Sequence, residues 1–302
     1  MMPAMTRNAY VGRFAPSPTG PLHRGSIVAA LASYIDARAA GGRWRLRIDD
    51  VDSGRARKDA VTAILTTLEA LGLHWDGPVQ YQDPRRSDYE RSLQQLARAG
   101  LAYPCACTRR EIADVARHGA AGLIYPGTCR GGVPAGRSAR SWRFINAADC
   151  LAFTDRHAGA QSLNPAADIG DFIIRRGDGL HAYHLAMVLD DQALGVTDIV
   201  RGADLLPATF PQIALQQALG LATPRYLHLP VAVDDRGRKL SKTNGAAPAD
   251  SHDPGKTLTE ALTFLGQSPP SGLARAGAPE ILDWAVVHWR PERIPPFYET
   301  GA

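Results

Sequence analysis

Apolar and polar positions along the first eighty residues switch between two periods. Residues 10–14, Tyr-Val-Gly-Arg-Phe, form a short apolar run that predicts a buried strand, and the turn-rich Ala-Pro-Ser-Pro-Thr-Gly-Pro follows at 15–21. An Ala-rich apolar run over about 25–40 suits a helix. Residues 44–48 predict a second strand that ends in acidic Asp49, Asp50 and Asp52, and 58–71 space Ala, Ile and Leu at helical intervals. This strand–helix–strand rhythm predicts an α/β fold with a parallel sheet.

A further helix is expected over 87–99, after which residues 103–136 break the rhythm with Gly, Pro, Arg and three Cys and read as an insertion. The α/β character returns at 172–174 and continues through an apolar stretch at 184–194, a strand at 196–200 and a helix at 207–219. Beyond 227–229 come a turn at 234–237, the segment Arg238-Lys-Leu-Ser-Lys242, and two helices near 256–265 and 278–289. The expected division is 8–102 and 171–245 for the two halves of a catalytic domain, 103–170 for the Cys-containing insertion and 246–302 for a short helical end.

Composition narrows the class. A 302-residue chain with 45% hydrophobic and 21% charged residues can bury a sizeable core and is globular. No apolar run approaches the ~20 residues that span a bilayer, and the first ten residues lack the apolar core of a secretory signal, so a cytoplasmic location and no membrane partner are expected. The net charge of +4 is too diffuse to identify a polyanionic partner. The kind of base says more: of 34 basic residues only Lys58, Lys239, Lys242 and Lys256 are lysines.

Three segments carry candidate chemistry. Gly20-Pro-Leu-His23-Arg-Gly25-Ser26 lies between a strand and a helix, where unpaired N–H groups and the positive end of the dipole make a phosphate site, with Gly25 permitting close approach and His23 a donor. Neither a P-loop nor a Gly-x-Gly-x-x-Gly follows the first strand, so the nucleotide grip must come from elsewhere. Lys239-Leu-Ser-Lys242 supplies one, since flexible ammonium groups can follow charge onto a leaving pyrophosphate. Taken singly, the first segment fits an ordinary Pro/Gly turn about as well, and the second a basic surface loop. The third is Cys105-Ala-Cys107 with Tyr125-x-x-x-Cys129: three thiols suited to zinc, with a fourth donor open among Tyr125, His118 and Cys150, against the plain alternative of reduced free thiols.

Together, the His23 and Lys239–Lys242 segments resemble the paired HIGH and KMSKS signatures of class I aminoacyl-tRNA synthetases, in the right order, which implies a Rossmann-like catalytic domain with the two segments at its opposite ends. Arg13-Phe-Ala-Pro-Ser-Pro-Thr-Gly20 and Arg47-Ile-Asp-Asp-Val-Asp52 narrow this to the glutamyl/glutaminyl subgroup. The resemblance implies that Arg13, Phe14, Ala15, Pro16 and Ser17 line an amino-acid pocket with Tyr183 and Arg201. It implies that His23, Gly25, Ser26 and Lys242 hold ATP, with Lys239 beside them, and that Mg²⁺ enters with the nucleotide. Asp49 stands where the family usually has Glu, at the position that meets the substrate ammonium.

The Cys-x-Cys, Tyr-x-x-x-Cys arrangement is similar to the zinc site of the glutamyl-queuosine tRNA(Asp) synthetases. That resemblance makes Cys105, Cys107, Tyr125 and Cys129 the ligands of one structural Zn²⁺ per chain. About sixty residues follow Lys242, fewer than the helical anticodon-binding region of an ordinary glutamyl-tRNA synthetase would need. The implied reaction is activation of L-glutamate by ATP without tRNA, then transfer to queuosine in the anticodon of tRNA(Asp), by a monomer that takes no DNA. The competing readings are an ordinary glutamyl-tRNA synthetase charging the acceptor end, a non-catalytic tRNA-binding paralogue, and a small-molecule adenylyltransferase on the same fold.

Overall fold

A computed structural model of the chain describes residues 9–119, 122–231 and 253–297. The first half follows the expected alternation. β1 (Val11–Phe14), buried at every position, leads to α1 (Arg24–Ala39), β2 (Arg43–Ile48), α2 (Lys58–Ala70) and β3 (Gln80–Tyr81), and the three strands pair in parallel in the order β1-β2-β3. α2 buries Ala60, Ile64 and Leu68, and α3 (Arg86–Arg98) buries Tyr89, Leu93 and Leu96; both show the one-sided spacing that read as helix.

The middle of the chain holds β4 (Ala102–Cys105), α4 (Arg109–Ala113), the hairpin β5 (Arg117–Gly119) and β6 (Gly122–Ile124), β7 (Ser141–Phe144), the hairpin β8 (Leu151–Asp155) and β9 (Gly159–Leu163), and α5 (Pro165–Asp168). β10 (Phe172–Arg175) follows, then α6 (Tyr183–Ala193), β11 (Asp198–Gly202), α7 (Leu206–Leu219), β12 (Arg225–Leu229), α8 (Pro254–Phe264) and α9 (Ala278–His288).

Two sheets divide this half. β10, β7 and β4 form an antiparallel sheet, with Pro104 tolerated because β4 is at its edge; β11, β12, β8 and β9 form the other. The division expected at 170/171 therefore does not coincide with a sheet boundary. The β8–β9 hairpin from the expected insertion pairs with β12, and β10 from the expected catalytic half pairs with β7.

β11 begins two residues later than expected and continues through Arg201 and Gly202, which pair with His228 and Leu229. The apolar pattern stopped at Val200, but hydrogen bonds allow Arg201 to be buried in the strand. Thr197 N donates to the Val11 carbonyl and Val11 N to Thr197 Oγ1, each over 2.9 Å, so β1 lies beside the start of β11. Val200, Leu227 and Leu229 face the core built on α1, α8 and α9, whereas Ile199 and Tyr226 face the core under α7. The chain thus leaves β1 and β11 toward opposite faces, which opens a crevice at their C-terminal ends.

The last two helices pack on α1. Asp36 in α1 accepts hydrogen bonds from Trp289 Nε1 (2.7 Å), Arg156 Nη2 (2.8 Å) and the Tyr10 hydroxyl, which binds the helical end to the catalytic core.

Candidate active site and metal centre

A cavity of about 320 Å³ occupies that crevice. Arg13, Phe14, Ala15, Pro16 and Ser17 come from the end of β1 and the loop after it, His23, Gly25 and Ser26 from the start of α1, Tyr183 from α6 and Arg201 from β11. Ten of the expected site residues therefore line one cleft. Asp49 lines an adjoining cavity that shares Ser17, Thr19 and Tyr183 with the first. Lys239 and Lys242 lie outside the described residues.

His23 caps α1: its Nδ1 accepts from Ser26 N over 3.3 Å, which in the neutral ring leaves the proton on Nε2. Gly25 serves this geometry, because a Cβ there would stand 3.2 Å from His23 Cε1. The first turn of α1 carries no acidic residue, so the partial positive charge of its N-terminus is undiminished at the cleft.

The cleft's arginines differ in how their charge is met. Arg13 Nε lies 3.2 Å from Asp191. Arg201 is 4% exposed, yet among the described residues its guanidinium donates to uncharged acceptors only: His228 Nε2 (3.1 Å), Gln212 Oε1 (2.9 Å), Thr209 Oγ1 (2.7 Å) and the Leu205 carbonyl (3.3 Å). A buried cation without a carboxylate partner is a receptor for an anion. Asp49 is the opposite case: burial pushes its carboxyl up to about 6 although Arg47 donates to it over 2.6 Å, and Asp190 and Asp191 add to the rise.

At the second centre, Cys105 Sγ and Cys107 Sγ lie 3.4 and 3.3 Å from the Tyr125 hydroxyl, and Cys107 and Cys129 are 3.6 Å apart. A tetrahedral zinc with sulfur and oxygen ligands has ligand–ligand edges of about 3.5–3.8 Å, so the donor set fits. The three thiols can hold a metal ion. Burial alone would raise the Cys105 thiol, but hydrogen bonds with Tyr125 and Arg143 bring it down to about 7. Burial and the neighbouring thiols push the Tyr125 hydroxyl well above its ordinary pKa, so a bound cation would be needed to make it a phenolate; Cys129 N donates to its oxygen over 2.9 Å, and the Arg143 guanidinium sits 3.7 Å over its ring.

The catalytic-domain model for class I tRNA synthetases (E and Q) matches residues 10–130 and 134–275. A glutamyl-Q tRNA(Asp) synthetase of Aromatoleum aromaticum is 53% identical over 286 residues, 95% of this chain and 90% of that protein. The chain belongs to the glutamyl-Q tRNA(Asp) synthetase family. A second member, from Dechloromonas aromatica, is 51% identical over 288 residues, covering 95% and 96% of the two chains. The fold is shared more widely: a glutamate-tRNA synthetase structure from Elizabethkingia anophelis superposes with a TM-score of 0.78 at 24% identity, covering 95% of this chain and 67% of that one.

Two features of this family member escaped the sequence reading. Arg47 is fully buried and reaches Asp49, Asp190 and Asp191, so a carboxylate pair that read as part of an apolar stretch supports the cleft wall. The paired acids inside that stretch were the available signal. His228 and Asp155 stand behind Arg201, joined by a 2.7 Å contact. No short motif reveals them, because they come from strands seventy residues apart.

Proposed function

We propose that this ligase activates L-glutamate with ATP, without tRNA, and transfers it to queuosine in the anticodon of tRNA(Asp). The observation that carries the reading is the Arg201 guanidinium, buried at the cleft and held, among the described residues, by uncharged acceptors. It suits a substrate carboxylate, with Arg13 and Tyr183 lining the same cleft, and Asp49, on the adjoining cavity, is assigned to the ammonium. The names of the relatives support the choice of glutamate and of the acceptor.

In the first step a glutamate carboxylate oxygen attacks the α-phosphorus and pyrophosphate leaves, giving glutamyl-adenylate. No enzyme nucleophile is needed. Phe14 to Ser17 fix the amino acid, the His23 end of α1 with the Gly25 amide and the Ser26 hydroxyl meets the phosphates, and Lys239 and Lys242 follow the charge onto pyrophosphate. Mg²⁺ bound with ATP would supply further neutralisation of that charge. In the second step the queuosine hydroxyl attacks the activated carbonyl and AMP departs, its phosphate taking the proton.

Cys105, Cys107, Tyr125 and Cys129 would hold one Zn²⁺ in a closed site that orders the insertion within 103–170, the part we assign to meeting the tRNA. The test is transfer of radiolabelled glutamate to tRNA(Asp) prepared with and without queuosine. Incorporation confined to the queuosine-bearing tRNA supports the reading; label on the 3′ end of a tRNA(Glu) instead would replace it.

A further inference from the structure

Behind Arg201 lies a buried relay that the proposed chemistry does not use. Arg201 on β11 and His228 on β12 are direct cross-strand partners, and Asp155 ends the neighbouring β8. His228 and Asp155 are 0% and 2% exposed. The Asp155 carboxylate accepts from the backbone N–H groups of His157 (2.9 Å), Ala158 (2.8 Å) and His228 (3.2 Å), and it lies 2.7 Å from His228 Nδ1. A carboxylate with so many donors is ionised, so Nδ1 carries a proton and donates it.

The other ring nitrogen faces the opposite demand. Arg201 Nε only donates, and it stands 3.1 Å from His228 Nε2, which must therefore offer its lone pair. The two demands together select one neutral tautomer. A doubly protonated ring would set two N–H groups against each other next to a guanidinium; burial, and then the Arg201 charge, hold the ring's pKa below its ordinary value.

We infer that His228, oriented by Asp155, is a positioning residue that aims the Arg201 guanidinium into the cleft while leaving its charge unmet, and that this favours a carboxylate side chain over its amide. A carboxylate at position 228 would hold the arginine as firmly but would cancel its charge, as Asp191 partly does for Arg13. The neutral imidazole holds it without cancelling it, and no carboxylate among the described residues pairs with it, which leaves the charge to an anionic ligand. This rests on the reading that Arg201 receives the side-chain carboxylate of glutamate.

The experiment is isothermal titration of the full chain with glutamate and with glutamine, for wild type, R201K, H228Q, H228N, H228F and D155N. Thermal melting of each variant checks that it is folded. The glutamine side chain can place its carbonyl oxygen where His228 Nε2 lies and still accept from Arg201, whereas the shorter asparagine reaches only toward Asp155.

The expected result is glutamate affinity within about threefold of wild type for H228Q. Losses on the order of tenfold or more are expected for H228N, H228F and D155N, with the preference for glutamate over glutamine falling in parallel. The comparison of H228Q with H228N stands even where H228F fails to fold. Glutamate affinity within twofold of wild type in H228N, alongside a tenfold loss in R201K, overturns the relay and leaves the Arg201 reading intact. Unchanged glutamate binding in R201K overturns both.

Discussion

Arg47 Nε lies 2.6 Å from Asp49 Oδ1, while Nη1 of the same guanidinium lies 2.7 Å from Asp191 Oδ1. One buried cation thus spaces two carboxylates: Asp191 turns toward Arg13, and Asp49 lines the cavity beside the cleft. Asp49→Asn removes the charge while keeping the shape. Glutamate KM is expected to rise on the order of tenfold or more, with ATP KM nearly unchanged, measured by pyrophosphate exchange at varied glutamate.

On the proposal that Asp49 meets the substrate ammonium, it should also give glutamate binding an acidic limit. Its carboxyl titrates at about 6 in the free protein, chiefly through burial. A substrate ammonium stabilises the ionised form, so the pKa in the complex lies lower and binding is favoured above the free value. Glutamate KM should therefore be flat above pH 6 and rise as the pH falls below it, by up to about tenfold per unit. A KM independent of pH between 5 and 7 would contradict this role.

The sequence disclosed the fold wherever one face of an element met one core. α2 and α3 showed their buried stripes, β1 its apolar run, and α8 and α9 their spacing. It disclosed less where polar groups are buried in pairs. β8 and β9 went unread because Leu151–Asp155 alternates only weakly and ends in an Asp whose burial depends on His228. The cleft residues adjacent in sequence, Arg13 to Ser17 and His23 to Ser26, were legible; the supports behind them were not, because Arg47, Asp191, Asp155 and His228 acquire their roles only when distant strands meet. Gly25 was expected to admit a ligand, and the structure adds that it also makes room for the His23 ring.

The metal centre predicts a stoichiometry and a cost. Purified protein should carry about one zinc per chain by elemental analysis. Cys105→Ala, which removes a fully buried donor, should lower zinc content and drop the melting temperature by roughly 5–10 °C. Tyr125→Phe tests the fourth ligand separately: zinc should be lost to a chelator at lower concentration than in wild type. Equal resistance would remove Tyr125 from the ligand set.

Asp36 holds the helical end to the core through Trp289, Arg156 and Tyr10. Asp36→Ala leaves those donors without their shared acceptor and should cost about 3 kcal/mol in urea unfolding. Although burial works to raise the Asp36 pKa, Arg156 and the other donors take it below the ordinary value. The stabilisation is therefore fully present above about pH 4 and lost as the pH falls through the folded-state value. In Asp36→Ala the acid-unfolding curve should lose that contribution.

Lys242 falls outside the described residues, and its role rests on the sequence pattern. Lys242→Ala should lower kcat for exchange on the order of 10²-fold and leave glutamate KM within a few-fold, because the charge it meets develops only as pyrophosphate leaves.

The most direct measurement is ATP–pyrophosphate exchange by the purified chain without tRNA, with glutamate, aspartate and glutamine compared. Exchange supported by glutamate alone is the predicted result, on the proposal that Arg201 receives the anionic side chain and the cleft sets its reach. Exchange that begins only when tRNA is added would contradict tRNA-independent activation and place the chain with synthetases that charge the acceptor end.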